Sequence, residues 1–281
     1  MRAYARYYTH QSADAHGARR EGVKTALRQG YVNWRWGYDL WPAWPIGRHL
    51  VGERRRATLD LQVRHLPRPE GAARILDVGC GNGAFLARMR SYGWDVRGLD
   101  PDPAAASAAR ALGIDVLVGT LEDSTWPEGW FHAVTMSSVI EHLHDPGAAL
   151  AECRRLLAPG GTLHLVTPNT GALGAERFGV NWRGFEAPRH LVLFDRRSLS
   201  LLVEAQGFDD CVFHPHFVGE WFFMVSGAMA LGLAADALES LPRAARSALR
   251  REGRAADRRV AREPERAEEL VVTMRRPLAP A

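Results

Sequence analysis

Short apolar runs recur along the middle of this chain, and between them lie segments whose apolar residues fall at helical spacing. Residues 75–78, 94–99, 114–118, 131–137 and 162–167 read as strands, and residues 84–92, 103–112 and 147–157 read as the helices between them. The run at 131–137 is largely apolar, as a strand covered on both faces must be. Strands and helices in alternation predict an α/β domain built on a mainly parallel sheet. A further helix at 197–206 leads into a sixth strand at 208–214, and 269–276 reads as a seventh. Upstream, 50–66 has the pattern of a helix that Pro67 and Pro69 end. Residues 1–30 are polar with scattered arginines and read as a loose arm or short helices.

The first strand stops abruptly at Asp77-Val-Gly-Cys-Gly-Asn-Gly83, and a helical run follows at once. Glycines 79, 81 and 83 let the chain turn sharply and bring bare backbone against a ligand, the opening unit of a Rossmann-like fold. The second strand closes on Asp100, where a carboxylate can accept from both vicinal hydroxyls of a ribose. Asp102, before Pro103, reads instead as the cap of the next helix.

Composition narrows the setting. Of 281 residues, 46% are hydrophobic and 24% charged, values of a globular chain with a sizeable core. The net charge of +4 is carried almost entirely by arginine, since Lys24 is the only lysine. Cys80, Cys153 and Cys211 are far apart and form no C-x-x-C pair, which predicts a reducing compartment without disulfides or a zinc site. No apolar stretch follows Met1, so the expected location is cytoplasmic.

Three segments stand outside the α/β pattern. Residues 31–45 hold four tryptophans and two tyrosines, which must pack across the domain or form a lid over a substrate pocket. Residues 221–235 carry no charge; as a helix they would reach about 22 Å, short of the roughly 30 Å hydrocarbon layer of a bilayer. Residues 243–262 then hold eight arginines against Glu252 and Asp257. Together these read as a helical insertion, and segment 221–262 has the charge to touch an anionic membrane surface peripherally. No nucleic-acid motif accompanies the arginines, so no nucleic-acid partner is expected.

The glycine turn with its leading Asp77, then Asp100, then Glu141-His142, Leu-Ala-Pro-Gly-Gly and a strand ending Thr-Pro-Asn, resembles the class I S-adenosylmethionine (SAM) dependent methyltransferases. The resemblance is strongest to the ubiquinone-type and small-molecule O-methyltransferases and covers about residues 70–210. It implies a seven-stranded sheet of order 3-2-1-4-5-7-6, strand seven antiparallel, flanked by helices. The implied organisation is an N-terminal arm and helix (1–66), a SAM-binding domain (67–215 with 268–277) and a helical insertion (216–267). The implied cofactor is SAM, held by Asp77, Gly79, Gly81, Gly83 and Asp100. Thr120, Leu121 and Glu122 would cap the adenine, and Ser137 would stand where strand four opens. Relatives often carry Asp where Thr120 stands, so Thr120, Glu122 and Asp123 all remain candidates for the amine contact. In the ubiquinone-type enzymes an acid three residues before the Glu-His pair is linked to a metal; here that residue is Ser138, and no metal site is expected.

The implied reaction is methyl transfer to a small-molecule acceptor, most naturally a hydroxyl oxygen. Glu141 and His142 are candidates to position or deprotonate it, to help bind a metal, or to brace the loop and cap the next helix. The 169–195 connection supplies Trp182 as a stacking ring, Arg183 and Glu186 as charges, and His190 as the candidate general base or as a satisfied joint residue. The competing functions are a nicotinamide oxidoreductase, which the glycine spacing disfavours, and a non-catalytic SAM-binding protein.

Overall fold

The computed structural model describes residues 18–278; the first 17 residues of the expected N-terminal arm lie outside the described residues. In chain order the elements are α1 (Ala18–Trp36), α2 (Gly47–Leu50), α3 (Glu53–Gln62), β1 (Arg74–Val78), α4 (Ala84–Ser91), β2 (Asp95–Asp100), α5 (Pro103–Ala111), β3 (Asp115–Val118) and β4 (Phe131–Ser137). They continue with α6 (Pro146–Leu156), β5 (Leu157–Pro168), α7 (Leu173–Phe178), α8 (Arg196–Ala205), β6 (Asp209–His214), α9 (Gly219–Ala230), α10 (Arg243–Val260) and β7 (Glu269–Arg275). The sheet order is β3-β2-β1-β4-β5-β7-β6, as the family resemblance implied. β1 runs parallel to β2 and β4, β2 parallel to β3, and β7 antiparallel to β6. The chain forms two compact units, one comprising residues through Met136 with 152–164 and the chain from Arg276 on, the other 137–151 with 165–275.

In the first unit Ile75, Leu86, Met89, Ala106 and Ala109 form the core. α1 is a single 19-residue helix where a loose arm or short helices were expected. The reason is a packed face: Ala26, Tyr31 and Val32 are buried, Tyr31 Oη donates to Asp60 at 3.0 Å and Trp36 Nε1 donates to it at 2.7 Å. The aromatic stretch therefore divides. Its tyrosines Tyr31 and Tyr38 enter the core, while Trp34, Trp41 and Trp44 remain 56%, 87% and 47% exposed. α3 ends at Gln62, short of the expected Leu66, because Arg64 and His65 both turn left-handed (φ 49° and 55°). β5 begins earlier than expected. The Pro-Gly-Gly segment pairs with the chain beyond β7, Gly160 N–H donating to Arg276 O and Arg276 N–H to Gly161 O, each at 2.9 Å.

The second unit fills the 169–195 connection with structure. α7 and two 3-10 turns carry Phe178 and Trp182 into a cluster with Phe222, Phe223 and Leu249. α9 ends at Ala230, short of the uncharged run, and residues 222–228 are all buried. α10 buries Leu249, Gly253, Ala256 and Val260, three and four residues apart, and turns its arginines outward. A Cβ on Gly253 would lie 2.6 Å from Gly219 O, so only glycine permits this crossing. Among the described residues no helix is long and apolar enough to cross a membrane.

Beneath the connection lies Glu268, buried, accepting from Trp182 Nε1 and from Gly174 N–H, both at 2.7 Å. Burial pushes its carboxyl up to about 7. Trp182→Phe keeps the ring's bulk and removes one donor from a buried acceptor, so stability should fall by about 1–3 kcal/mol. Thermal unfolding checks this; an unchanged Tm would show that the bond contributes nothing.

Candidate active site

In the first unit the β1–α4 turn is built by three left-handed glycines, Gly79, Gly81 and Gly83 (φ 71°, 54° and 75°). A Cβ on Gly83 would also meet Ala109 Cβ at 2.7 Å. Gly79 N–H donates to Leu99 O at 2.7 Å, tying the turn to the end of β2. Asp100 is buried there; its carboxylate accepts from Gly81 N–H at 2.8 Å and Asp102 N–H at 2.9 Å. Asp102 caps α5, accepting from Ala104 N–H at 2.9 Å, which leaves the helix-capping role off Asp100.

Asp77 at the end of β1 is 2% exposed, accepts from Thr135 Oγ1 at 2.8 Å and forms an ion pair with Arg64. After β3, Thr120 donates from both its N–H (2.8 Å) and its hydroxyl (3.0 Å) to Asp123, and those bonds hold the Asp123 carboxyl below the usual range. Leu121 is buried in the 3-10 turn that follows, and Glu122 is exposed.

In the second unit a 3-10 turn, Ile140–His142, turns Glu141 fully inward. Its Oε2 accepts from Thr167 Oγ1 at 3.0 Å, while its buried Oε1 has no partner among the described residues. Burial pushes the Glu141 carboxyl up to about 8. The Glu141 backbone carbonyl accepts from Leu191 N–H (2.7 Å) and Val192 N–H (3.2 Å), which brings His190 to the same place. The His142 and His190 rings meet edge to face, centroids 4.8 Å apart. His142 Nδ1 lies 3.0 Å from Arg189 O and His190 Nδ1 2.7 Å from Gly184 O. A carbonyl only accepts, so both Nδ1 atoms carry hydrogens, and His190 Nε2 lies 3.5 Å from Glu186 Oε2.

One side-chain atom from each of Glu141, His142 and His190 lies within 4.8 Å of the others. A carboxyl and two imidazoles are donor types that a divalent cation accepts. A cation here would first have to displace the proton that burial keeps on Glu141. Burial also holds His190 below the usual imidazole range. Around it, Glu186 pairs with Arg183 at 2.5 Å and Arg189 at 3.1 Å. Burial alone would raise the Glu186 carboxyl, but the Arg183 hydrogen bond and charge bring it below its ordinary value.

Two expectations need correction or separation. Trp182 cannot stack on an acceptor: it is fully buried and its indole N–H is committed to Glu268. Ser137 ends β4, and its side chain makes no hydrogen bond among the described residues. Asp77, Asp100 and the three glycines do gather about one turn, and Glu141, His142 and His190 form a second cluster. Arg64, Thr135 and Thr167 were not singled out from the sequence. Arg64 sits between a helix and a proline with no motif around it, and each threonine is one polar residue in an apolar strand.

A family model described as a methyltransferase domain matches residues 50–211. A ubiquinone biosynthesis O-methyltransferase of Xanthomonas oryzae pv. oryzae (strain PXO99A) is 40% identical over 104 residues, 34% of this chain and 44% of that protein. The chain thus spans less than half the length of that relative. The enzyme of the same name from Alkalilimnicola ehrlichii is 38% identical over 172 residues, 53% of this chain and 68% of its own length. The solved structure of a SAM-dependent methyltransferase from Archaeoglobus fulgidus matches with a TM-score of 0.53 at 16% identity, over 80% of this chain and 95% of that one. At that identity the likeness shows the fold.

Proposed function

This chain belongs to the class I SAM-dependent methyltransferase family, and from that premise we propose that it methylates a hydroxyl oxygen of a small molecule. The observation that carries the acceptor chemistry is the pair of imidazoles whose Nδ1–H groups are tied to backbone carbonyls beside the Glu141 carboxyl. With Nδ1–H so tied, deprotonated His190 carries its lone pair on Nε2, 3.5 Å from Glu186 Oε2, the form that accepts a proton from a hydroxyl.

The residues of the glycine turn fit SAM. Asp100, already desolvated and held by two backbone N–H groups, keeps lone pairs for the ribose hydroxyls. The left-handed glycines bare the backbone where the amino-acid end would lie. Leu121 and its neighbours Thr120 and Glu122 flank the adenine. When bound, SAM supplies a methyl group made electrophilic by its sulfonium.

His190 takes the acceptor's proton at Nε2, and Glu141, neutral at pH 7, holds the acceptor through Oε1. Contact with an anionic membrane surface through 221–262 would fall to α10, whose arginines face outward, and to the half-exposed Trp221, since α9 buries Phe222, Phe223, Met224 and Val225.

Calorimetry tests the cofactor half. SAM should bind the wild type, and Asp100→Ala should weaken it by about 10- to 100-fold, the worth of one or two hydrogen bonds to a charged group. Binding of NAD in place of SAM would overturn the reading. Incubating the protein with methyl-labelled SAM and extracts of its own cell should transfer label to a small molecule as an ether; label on nitrogen or carbon would refute the O-methyl assignment.

A further inference from the structure

The His190 ring is tied by its Nδ1–H to the Gly184 carbonyl at 2.7 Å, and that bond is only as fixed as the carbonyl. Gly184 lies in the 3-10 turn Arg183–Phe185, within the connection that follows β5. The start of the turn is held by Arg183 N–H, which donates to the buried Ser226 Oγ at 3.0 Å. Its middle rests on the Trp182 ring. A Cβ on Gly184 would lie 2.2 Å from Trp182 Cη2 and 2.4 Å from Cζ2 and Cζ3, so the bare backbone is flush against the six-membered ring. The φ of Gly184 is not positive, and space alone reserves the position for glycine. Directly after the turn Glu186 is left-handed (φ 31°), a conformation that a non-glycine residue keeps only where its surroundings enforce it.

The Trp182 ring is held in turn at its other end. It is fully buried, edge to face with Phe185 (centroids 5.3 Å apart) and stacked on Phe222 (6.2 Å). Such contacts fix the plane of a ring and leave sliding within that plane open; a directional bond at Nε1 closes it. That bond runs to Glu268, one residue before β7, at 2.7 Å. Glu268 is itself pinned, since its other carboxyl oxygen accepts from Gly174 N–H at 2.7 Å and its backbone carbonyl from Asn169 N–H at 3.0 Å. Direct contacts therefore lead from Glu268 through the indole and the Gly184 carbonyl to His190 Nδ1.

We propose that Glu268 is a positioning residue for His190. By holding the Trp182 indole it places the Gly184 carbonyl, and that carbonyl keeps the imidazole proton on Nδ1. The proton has somewhere else to go: Glu186 Oε2 lies 3.5 Å from His190 Nε2 and draws it to that side of the ring. The tautomer is thus set between two acceptors, the Gly184 carbonyl and the Glu186 carboxylate. If the carbonyl moves away, the proton passes to Nε2 and the lone pair that would take the acceptor's proton is lost. The inference rests on the reading of His190 as base given above, but its first readout does not.

The experiment is nitrogen-15 NMR of the full chain carrying labelled histidine, in which the two ring nitrogens report which of them holds the proton. His190 is picked out of the 11 histidines by the signals that vanish in His190→Gln. At pH 8 the wild type should show His190 protonated on Nδ1. Trp182→Phe keeps a ring and loses the indole N–H; Glu268→Gln must turn an NH2 against one of its two donors. Each should move His190 toward the Nε2–H tautomer. The double variant should move it no further than the larger single change, as two steps on one path do. Leu249→Ala, a cavity in the same apolar cluster but off the path, should lose stability and keep the wild-type tautomer. Label transfer from methyl-labelled SAM to an extract of the protein's own cell should fall about 10- to 100-fold in both path variants. Should one path variant fail to fold, the other is measured alone. An unmoved tautomer in a folded path variant would overturn the inference, and so would an equal shift in Leu249→Ala. If the tautomer moves and the transfer does not slow, the positioning stands and His190 is not the base.

Discussion

His190→Gln should lower methyl transfer by about 10²–10⁴-fold, the usual worth of a positioned base, while SAM binding is unchanged. Glutamine can still reach the Gly184 carbonyl that orients the ring, at 2.7 Å in the native protein, but it offers no lone pair that takes a proton near neutrality. The loss should sit in kcat, because the proton moves only as the oxygen attacks. The pH profile adds a second signature. A base works in its deprotonated form, and burial holds His190 below the ordinary imidazole range. The wild-type rate should therefore rise with pH on the acid side of that range and be flat through pH 7. Dialysis against a chelator should leave the rate intact if the cluster handles protons. Turnover at the wild-type rate in His190→Gln would remove the base assignment without touching the fold.

The alternation of strands and helices and the cofactor turn were legible because they are written locally, whereas the order of the strands came from the family resemblance. Three glycines that must turn left-handed and an acid closing β2 announce themselves within a few residues. Asp102 before Pro103 could be told from Asp100 as the helix cap for the same reason. The 169–195 connection was legible only in part. Its His190 follows from residue type, but the Glu141 backbone carbonyl that recruits it is 50 residues away in sequence, and no pattern in either segment reports that bond. Trp182 misled for a related reason. An aromatic in a polar loop reads as a ligand platform, and only the fold shows the buried Glu268 that claims its N–H. α1 runs longer than the short helices expected because a single face of small and aromatic residues suffices to order a polar helix once Asp60 is there to receive Tyr31 and Trp36.

Glu141→Gln should make the protein more stable than wild type at pH 8 and equal to it near pH 4. The sign follows from where each state holds its proton. The unfolded Glu141 carboxyl loses its proton near 4.5, whereas the folded one keeps it to about 8. Over that window the unfolded state binds fewer protons, so wild-type stability falls as pH rises, by about 1.4 kcal/mol per pH unit at full effect. The loss amounts to a few kcal/mol, a large share of the roughly 5–15 kcal/mol that holds a domain together. Glutamine is the uncharged shape of the protonated acid: its amide oxygen can accept from the Thr167 hydroxyl, and it has nothing to ionise. Glu268, its carboxyl pushed up to about 7, contributes the same sign and remains in the variant. The difference in slope between wild type and variant from pH 7 to 8 therefore belongs to Glu141, and chemical denaturation of both proteins at those two pH values isolates it. If wild type and Glu141→Gln lose stability in parallel there, the carboxyl is already ionised at neutral pH. Oε1 would then be an acceptor beside two imidazoles, and the acceptor's proton would pass to Glu141 as readily as to His190.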